Sequence, residues 1–309
     1  MATNSKKYQC TPEAAIKRRA AELGFDACGF AVAETVDAEA QQRYDAWIAA
    51  GKHFAMTYAE RYADVRSDPR LLLDGARTVI SLAMNYFPAI EQDAQALQIA
   101  RYAFGRDYHE VLRERLEQLA AFIAGNWGAE CRVCVDTAPI REKYWAQRAG
   151  VGFVGRNNLL IIPGKGSFFF LGEVVTTLAL HPDEPCRLHC GSCHRCVEAC
   201  PGGALSADGS ALDASRCLSC LLIEYRGEQL PEWVADAKGN RLYGCDQCQL
   251  VCPHNASAQP TAVADFAPRH DILSLTPAAV EAMTQECFSR LFAHSAIKRV
   301  KLAGLKRNL

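Results

Sequence analysis

The sequence predicts an α+β or α/β protein in three parts: a mixed helix-and-strand domain over residues 1–180, a small cysteine-rich domain over 181–256, and a short helical segment with a basic tail over 257–309. Three observations carry this prediction. Helical and strand patterns are mixed through about residue 180, as in a domain built around a sheet. Ten of the 15 cysteines then crowd into residues 186–252, where apolar periodicity is lost. After Asn255 a connector, SAQPTAVADFAPRHD, leads to a last helical pattern.

Taken in order, TPEAAIKRRAAELG reads as a helix with Thr11 as its cap, Pro12 in the first turn and Gly24 as its stop. FDACGFAVA and ARTVISLAMNYF, rich in β-branched and apolar residues, read as strands. DYHEVLRERLEQLAAFIAGNWG places Leu112, Leu116, Leu119 and Ile123 on one helical face. CRVCVD is a short strand ending at Asp136, and REKYWAQRAG a short helix stopped by Gly150. NLLIIP and SFFFLGEVVTTLAL continue as strands, and TPAAVEAMTQECFSRLF closes the chain's regular structure as one capped helix.

Half of the 309 residues are apolar, 22% are charged and the net charge is −1, an ordinary globular balance. No run of about 18 apolar residues is present, so no membrane partner is expected. The stretch MATNSKKYQCTPEAA lacks the apolar core of a secretion signal, and a cytoplasmic monomer is the expectation. Disulfide stapling of the ten cysteines would need an oxidising compartment, so metal ligation is the better account. Cys10, Cys28, Cys131, Cys134 and Cys287 are scattered and read as small apolar residues.

Cys190, Cys193, Cys196 and Cys200-Pro201 follow CxxCxxCxxxCP. In two-cluster ferredoxins the first three cysteines of this run bind one 4Fe–4S cluster and the fourth reaches to the other. GCDQCQLVCP supplies the partner run with one cysteine fewer, and Cys217 of SRCLSC completes the count. The crossed assignment gives one cluster Cys190, Cys193, Cys196 and Cys252, and the other Cys200, Cys217, Cys245 and Cys248. Paired CxxC units also build zinc sites, but two runs each ending in CxxxCP favour iron. The cysteine-rich part is therefore a ferredoxin-like domain whose clusters supply much of its core.

Three lookalikes are set aside. Cys186, Cys190 and Cys193 spell CxxxCxxC, but further cysteines follow at once and little chain remains for a large barrel. Gly150, Gly152 and Gly155 spell GxGxxG, yet this run follows a helix and leads into a strand, the reverse of a dinucleotide site, and reads as a turn. PGKGS lacks the spacing of a P-loop. With no nucleotide site visible, electrons are expected from an external low-potential donor.

The chain resembles the epoxyqueuosine reductases, the family of the last step in making queuosine in transfer RNA. The likeness is carried by VDTAPIREKYWAQRAGVGFVGRNNLLI, GSFFFLGE and the CxxCxxCxxxCP…SRCLSCLLIE…GCDQCQLVCPHN series, and extends from GARTVISLAMNY to the closing IKRVKLAGLKRN. A more distant likeness is to the corrinoid reductive dehalogenases. The resemblance implies cobalamin held in the N-terminal domain beside two 4Fe–4S clusters, transfer RNA as substrate, and reduction of an epoxide to an alkene with loss of water. The DxHxxG corrinoid motif is absent, and DYHEVL lacks its glycine.

Asp136, alone, reads as a helix cap. Its VDTAPI context implies the general acid that protonates the departing oxygen, with a carboxyl pKa raised by burial. The resemblance also places Arg61, Arg156, Asn157, Asn158, Ser167, Glu224, Asp246 and Gln247 toward the corrin, with Tyr102, Asp107 and His109 as further candidates. Cys220 stands where relatives usually carry tyrosine. The chain ends without the helical-repeat extension of many relatives, in a tail bearing Lys298, Arg299, Lys301, Lys306 and Arg307 and no acid among the last twelve residues. Such a tail suits phosphate contacts and equally a solvated helix end. Two other readings stand beside the transfer-RNA reductase. One is a cobalamin-dependent reductase of a small molecule, whose members commonly carry an export signal. The other is a two-cluster electron carrier, which would not need the first 180 residues.

Overall fold

The computed structural model describes residues 11–309, so Cys10 and most of the stretch read for a secretion signal lie outside the described residues. The strands are β1 (Ala27–Val32), β2 (Thr78–Asn85), β3 (Gln98–Ile99), β4 (Cys131–Cys134), β5 (Phe153–Val154), β6 (Leu160–Ile161), β7 (Phe169–Thr176) and β8 (Arg241–Tyr243). Four of them form one sheet in the order β1-β2-β7-β4, every pairing antiparallel. That decides for α+β over α/β, since a doubly wound fold needs parallel strands.

The central strand explains the architecture. All but the last residue of β2 are buried, so both faces of the sheet must be covered. Ile80, Leu82 and Met84 face one core, beneath the helices Pro12–Glu22 and Tyr108–Trp127. The alternate positions Val79 and Ala83 face a second core, beneath the helix Glu142–Arg148 with Trp145 and Ala146. In the long helix the predicted Leu112, Leu116, Leu119 and Ile123 stripe is fully buried. The helix Glu142–Arg148 lies so close to the sheet that a side chain at Gly29 would meet the Ala149 carbonyl oxygen at 2.0 Å.

A third core joins chain-distant pieces: Ile99, Phe104, Leu242 and Tyr243 pack with Phe288, Phe292, Ile297, Val300 and Leu305 of the closing segment. The C-terminus is pinned there by Asn308, whose buried amide donates to the carbonyls of Leu222 and Leu242 at 2.8 and 2.9 Å. No helix among the described residues is long and apolar enough to cross a membrane.

The structure differs from the sequence reading at the edges. The single helix expected over 276–292 is two, Pro277–Glu281 and Gln285–Leu291, because Thr284 caps a second start by accepting from Cys287 N. The strand expected at NLLIIP shortens to Leu160–Ile161, the return arm of a small hairpin. Its partner arm follows Gly152, so the GxGxxG run is turn and hairpin. A helix over Ala38–Ala49, capped by Asp37, was not expected; none of its residues is fully buried, which leaves no apolar stripe to read.

Candidate redox site

The described cysteines are all free thiols. The short helices Arg195–Glu198 and Gln247–Leu250, each ending just before a Cys-Pro pair, pack on one another and interleave the two runs. The thiols consequently fall into two neighbourhoods. Burial pushes the Cys196 and Cys252 thiols up, and Cys190 adds to both, with Cys193 beside Cys252. Burial likewise raises Cys248, Cys245 and Cys217; Cys245, Cys217 and Cys200 act on Cys248, and Cys200 acts on Cys217. No three His, Cys, Asp or Glu side chains among the described residues converge on a single ion. Each neighbourhood gathers four thiols, the donor number that a 4Fe–4S cluster takes. Backbone amides from Arg156 and Ala204 donate to the Cys190 and Cys200 sulfurs at 3.4 and 3.3 Å, as thiolate ligands require.

Next to the second neighbourhood, side chains from three parts of the chain come within charge range of one another. Burial pushes the Cys220 thiol up to about 12, and Cys217 and Glu224 add to it. Burial also raises the Tyr58 hydroxyl, with Glu224, Asp136 and Cys220 contributing and Arg299 opposing. These residues, drawn from the sheet-bearing part, the cysteine-rich part and the closing segment, therefore lie near one another. Tyr58 stands 43% exposed, leaving an aromatic face open beside them.

Asp136 follows β4 with φ +41°, in the left-handed region that few non-glycine residues occupy. Its backbone N–H donates to Glu142 Oε1 at 2.6 Å, and its Oδ2 lies 2.8 Å from His109 Nε2. His109 is held from its other nitrogen by Asp107 Oδ1 at 2.7 Å. Asp107 caps the long helix, accepting from His109 N, so the cap and the clamp are one residue. Tyr108 stacks on Phe170 with ring centroids 4.3 Å apart and also bonds Asp136.

These contacts correct the expectation of a raised Asp136 pKa. Burial does push it up, but the hydrogen bond and charge of His109 outweigh burial and hold the carboxyl below its ordinary value. The displaced proton sits on His109: burial would lower its pKa, yet Asp107 and Asp136 lift it to about 9. Beneath them, burial and the Asp136 charge push Glu142 up to about 8. Glu173, fully buried opposite Ser81 and Cys134, is pushed far up by burial and then by Glu142; one of its oxygens has no partner. Sequence reading missed Glu142 and Glu173. An acid flanked by valines in a strand, GEVV, was the available signal.

The expected corrin contacts scatter. Glu224 lies near Tyr58 and Cys220, bonded to Arg299 at 2.7 Å, and Arg61 stands exposed one turn beyond Tyr58. Ser167 instead sits buried in a joint: its N–H donates to Asn255 Oδ1 at 2.7 Å, while Gln249 donates to its carbonyl at 2.8 Å. Asn157 is also buried, donating to the Cys248 carbonyl at 3.3 Å. Arg156 reaches Gly191 O at 2.9 Å, beside the first thiol set. Asp246 accepts from Arg101 N at 2.7 Å and Gln247 from Arg241 at 3.0 Å. The Asn158 carbonyl accepts from Lys143, and its φ of +59° marks a turn. Tyr102 donates to Tyr243 at 2.9 Å. Ser167, Asn157, Arg156, Asp246 and Tyr102 thus bind the two parts of the protein to each other, while Gln247 and Asn158 bond within their own part. The basic tail is likewise divided: Arg307 donates to the carbonyls of Leu221, Tyr225 and Gly227, whereas Lys298 and Lys301 remain exposed.

Comparison with known proteins agrees with this geometry. The family model described as "Epoxyqueuosine reductase QueG, DUF1730" matches residues 66–137, and "4Fe-4S double cluster binding domain" matches 189–255. The chain is 41% identical to an epoxyqueuosine reductase of Leadbetterella byssophila over 95% of its own length and 96% of the relative's. It is 38% identical to that of Escherichia coli, covering 95% of this chain and 78% of the relative. A crystal structure of an epoxyqueuosine reductase with an epoxyqueuosine-modified tRNA-Tyr stem loop superposes with a TM-score of 0.87 at 30% identity, covering 96% of this chain and 79% of that one. In the Bacillus subtilis enzyme, with a TM-score of 0.86, 30% identity and the same coverage, a catalytic aspartate loop is swung out of the active site. With identity sustained over almost the whole of both sequences, the chain belongs to the epoxyqueuosine reductase family.

Proposed function

We propose that this protein reduces epoxyqueuosine to queuosine at the wobble position of transfer RNA, as an oxidoreductase carrying two 4Fe–4S clusters and cobalamin. The observation that carries the reading is the Asp136–His109 pair beside the Tyr58, Glu224 and Cys220 group, read here as the substrate pocket next to the second thiol set, in a chain of this family. The cluster ligands would be Cys190, Cys193, Cys196 and Cys252 in one set, and Cys200, Cys217, Cys245 and Cys248 in the other.

Removing an epoxide oxygen as water consumes two electrons and two protons. Bound clusters supply electrons singly, and bound cobalamin supplies the low-valent cobalt at which the carbon–oxygen bond is reduced. The chain's own contribution is to protons and position. A departing alkoxide needs an acid, and here His109 Nε2 stores the proton while Asp136 Oδ2, 2.8 Å away, presents it to the pocket. Asp107 fixes the imidazole so that the stored proton faces Asp136. Glu142 anchors the Asp136 backbone, and its raised pKa keeps it largely uncharged near neutrality, limiting repulsion of a charged Asp136. The wobble base must leave its stack to reach this pocket, and exposed Lys298 and Lys301 suit phosphate contacts at its edge.

The test is anaerobic conversion of an epoxyqueuosine-bearing stem loop by the reconstituted protein with a chemical reductant, followed by nucleoside mass spectrometry. Queuosine should appear, and Asp136→Ala should abolish it while iron and cobalt contents hold. No queuosine from fully loaded wild-type protein would refute the function. Undiminished turnover by Asp136→Ala would remove that residue from the mechanism.

A further inference from the structure

The two thiol sets differ in what surrounds them. The second adjoins the pocket through Cys217 and Cys220, under the buried helix Leu218–Ile223. Around the first, the chain lies open: Arg187, Leu188, His189, Gly191, Ser192 and Arg195 are all exposed, and Leu188 is 57% exposed. From Arg187 to Val197 the sequence RLHCGSCHRCV contains two arginines, two histidines and no acid. Arg156 adds a third guanidinium, with its backbone N–H on the Cys190 sulfur and its side chain on Gly191. A near-neutral protein thus concentrates positive charge, around one exposed leucine, beside its more open thiol set.

We propose that the face bearing Arg187, Leu188 and Arg195 is where an acidic one-electron carrier protein docks to reduce the first cluster. The inference rests on the reading of the two thiol sets as cluster ligands. Each encounter oxidises the carrier by one electron and reduces the cluster by one; no bond forms or breaks, and two encounters supply one turnover. Three guanidiniums steer an acidic partner and orient it, while Leu188 provides the apolar contact at the centre of a small, transient interface. Electrons then pass to the second set across the packed helices Arg195–Glu198 and Gln247–Leu250.

The experiment is stopped-flow bleaching of the oxidised holoprotein by a reduced plant-type ferredoxin, an acidic carrier. For the wild type, the second-order rate constant should fall about tenfold when ionic strength rises from roughly 0.05 to 0.2 M. Arg187→Glu with Arg195→Glu should lower it by about 10- to 100-fold and flatten the salt dependence. Leu188→Gln should slow it several-fold while keeping the salt dependence. Iron content and the end point with dithionite report intact clusters, and thereby separate failure of the cluster reading from failure of the docking site. A wild-type rate indifferent to salt would overturn the proposal, as would unchanged rates in variants with full iron. Loss of affinity for a tRNA stem loop in the arginine variant would assign the face to RNA instead, and overturn it too.

Discussion

Replacing His109 with glutamine should move the pH dependence of turnover by several units, because it removes the group that stores the proton. In the wild type the pair keeps its proton up to the His109 pKa of about 9, so single-turnover rates should hold through neutrality and fall as pH rises through about 9. Unit charges about 4 Å apart interact by roughly 1 kcal/mol in water and 4 kcal/mol at a partly buried site. The Asp136 side chain is 50% exposed, which places the pair toward the lower figure, about 1–2 kcal/mol or one pKa unit. His109→Gln removes the hydrogen bond and charge that hold the Asp136 carboxyl down, so it returns toward the ordinary carboxylate range. The falling limb should then lie well below neutrality, and the rate at pH 7.5 should drop by more than about 10²-fold. The assay is single turnover of epoxyqueuosine stem loop by pre-reduced enzyme, sampled across pH 5–10 by nucleoside mass spectrometry, with iron and cobalt measured in parallel. A His109→Gln enzyme with full cofactors and an unchanged profile would refute the shared-proton argument.

Three further outcomes follow from the same structure. The raised His109 pKa contributes stability that is fully present below about 6.5 and lost as pH rises through about 9; wild-type denaturant stability should therefore decline by about 1–2 kcal/mol more over that window than that of His109→Gln, which keeps only the decline due to Glu142. Gln249→Leu leaves the Ser167 carbonyl and Tyr86 hydroxyl without this buried donor and should cost about 2–3 kcal/mol, read by urea unfolding; a loss below 0.5 kcal/mol, on the order of a surface substitution, would show the joint to be unimportant. Cys217→Ser should lower iron from about eight to about four per chain, whereas Cys220→Ser should keep about eight; the reverse pattern would reassign the ligand.

The sequence by itself determined what is set by neighbours within a turn or two. Thr11, Asp107 and Thr276 cap helices as side chains a few residues from the amides they accept from. The leucine stripe of the long helix is a local period of 3.6, and CxxC and CxxxCP spacings fix which thiols a short loop can present to one centre. The crossed grouping was read from the same spacing, by the pattern of two-cluster ferredoxins in which a run's last cysteine serves the other cluster. Tertiary structure alone decided the electrostatics around Asp136. His109, Glu142 and Glu173 come from a helix, another helix and a strand, and whether a carboxylate there is protonated depends on which charges the fold sets beside it. It also decided that Ser167 and Asn157 join the two parts of the chain, since a hydrogen bond to Asn255 or Cys248 spans about ninety residues and leaves no periodic trace. Local spacing encodes ligand sets; proton affinity and through-space contacts exist only once distant segments are packed together.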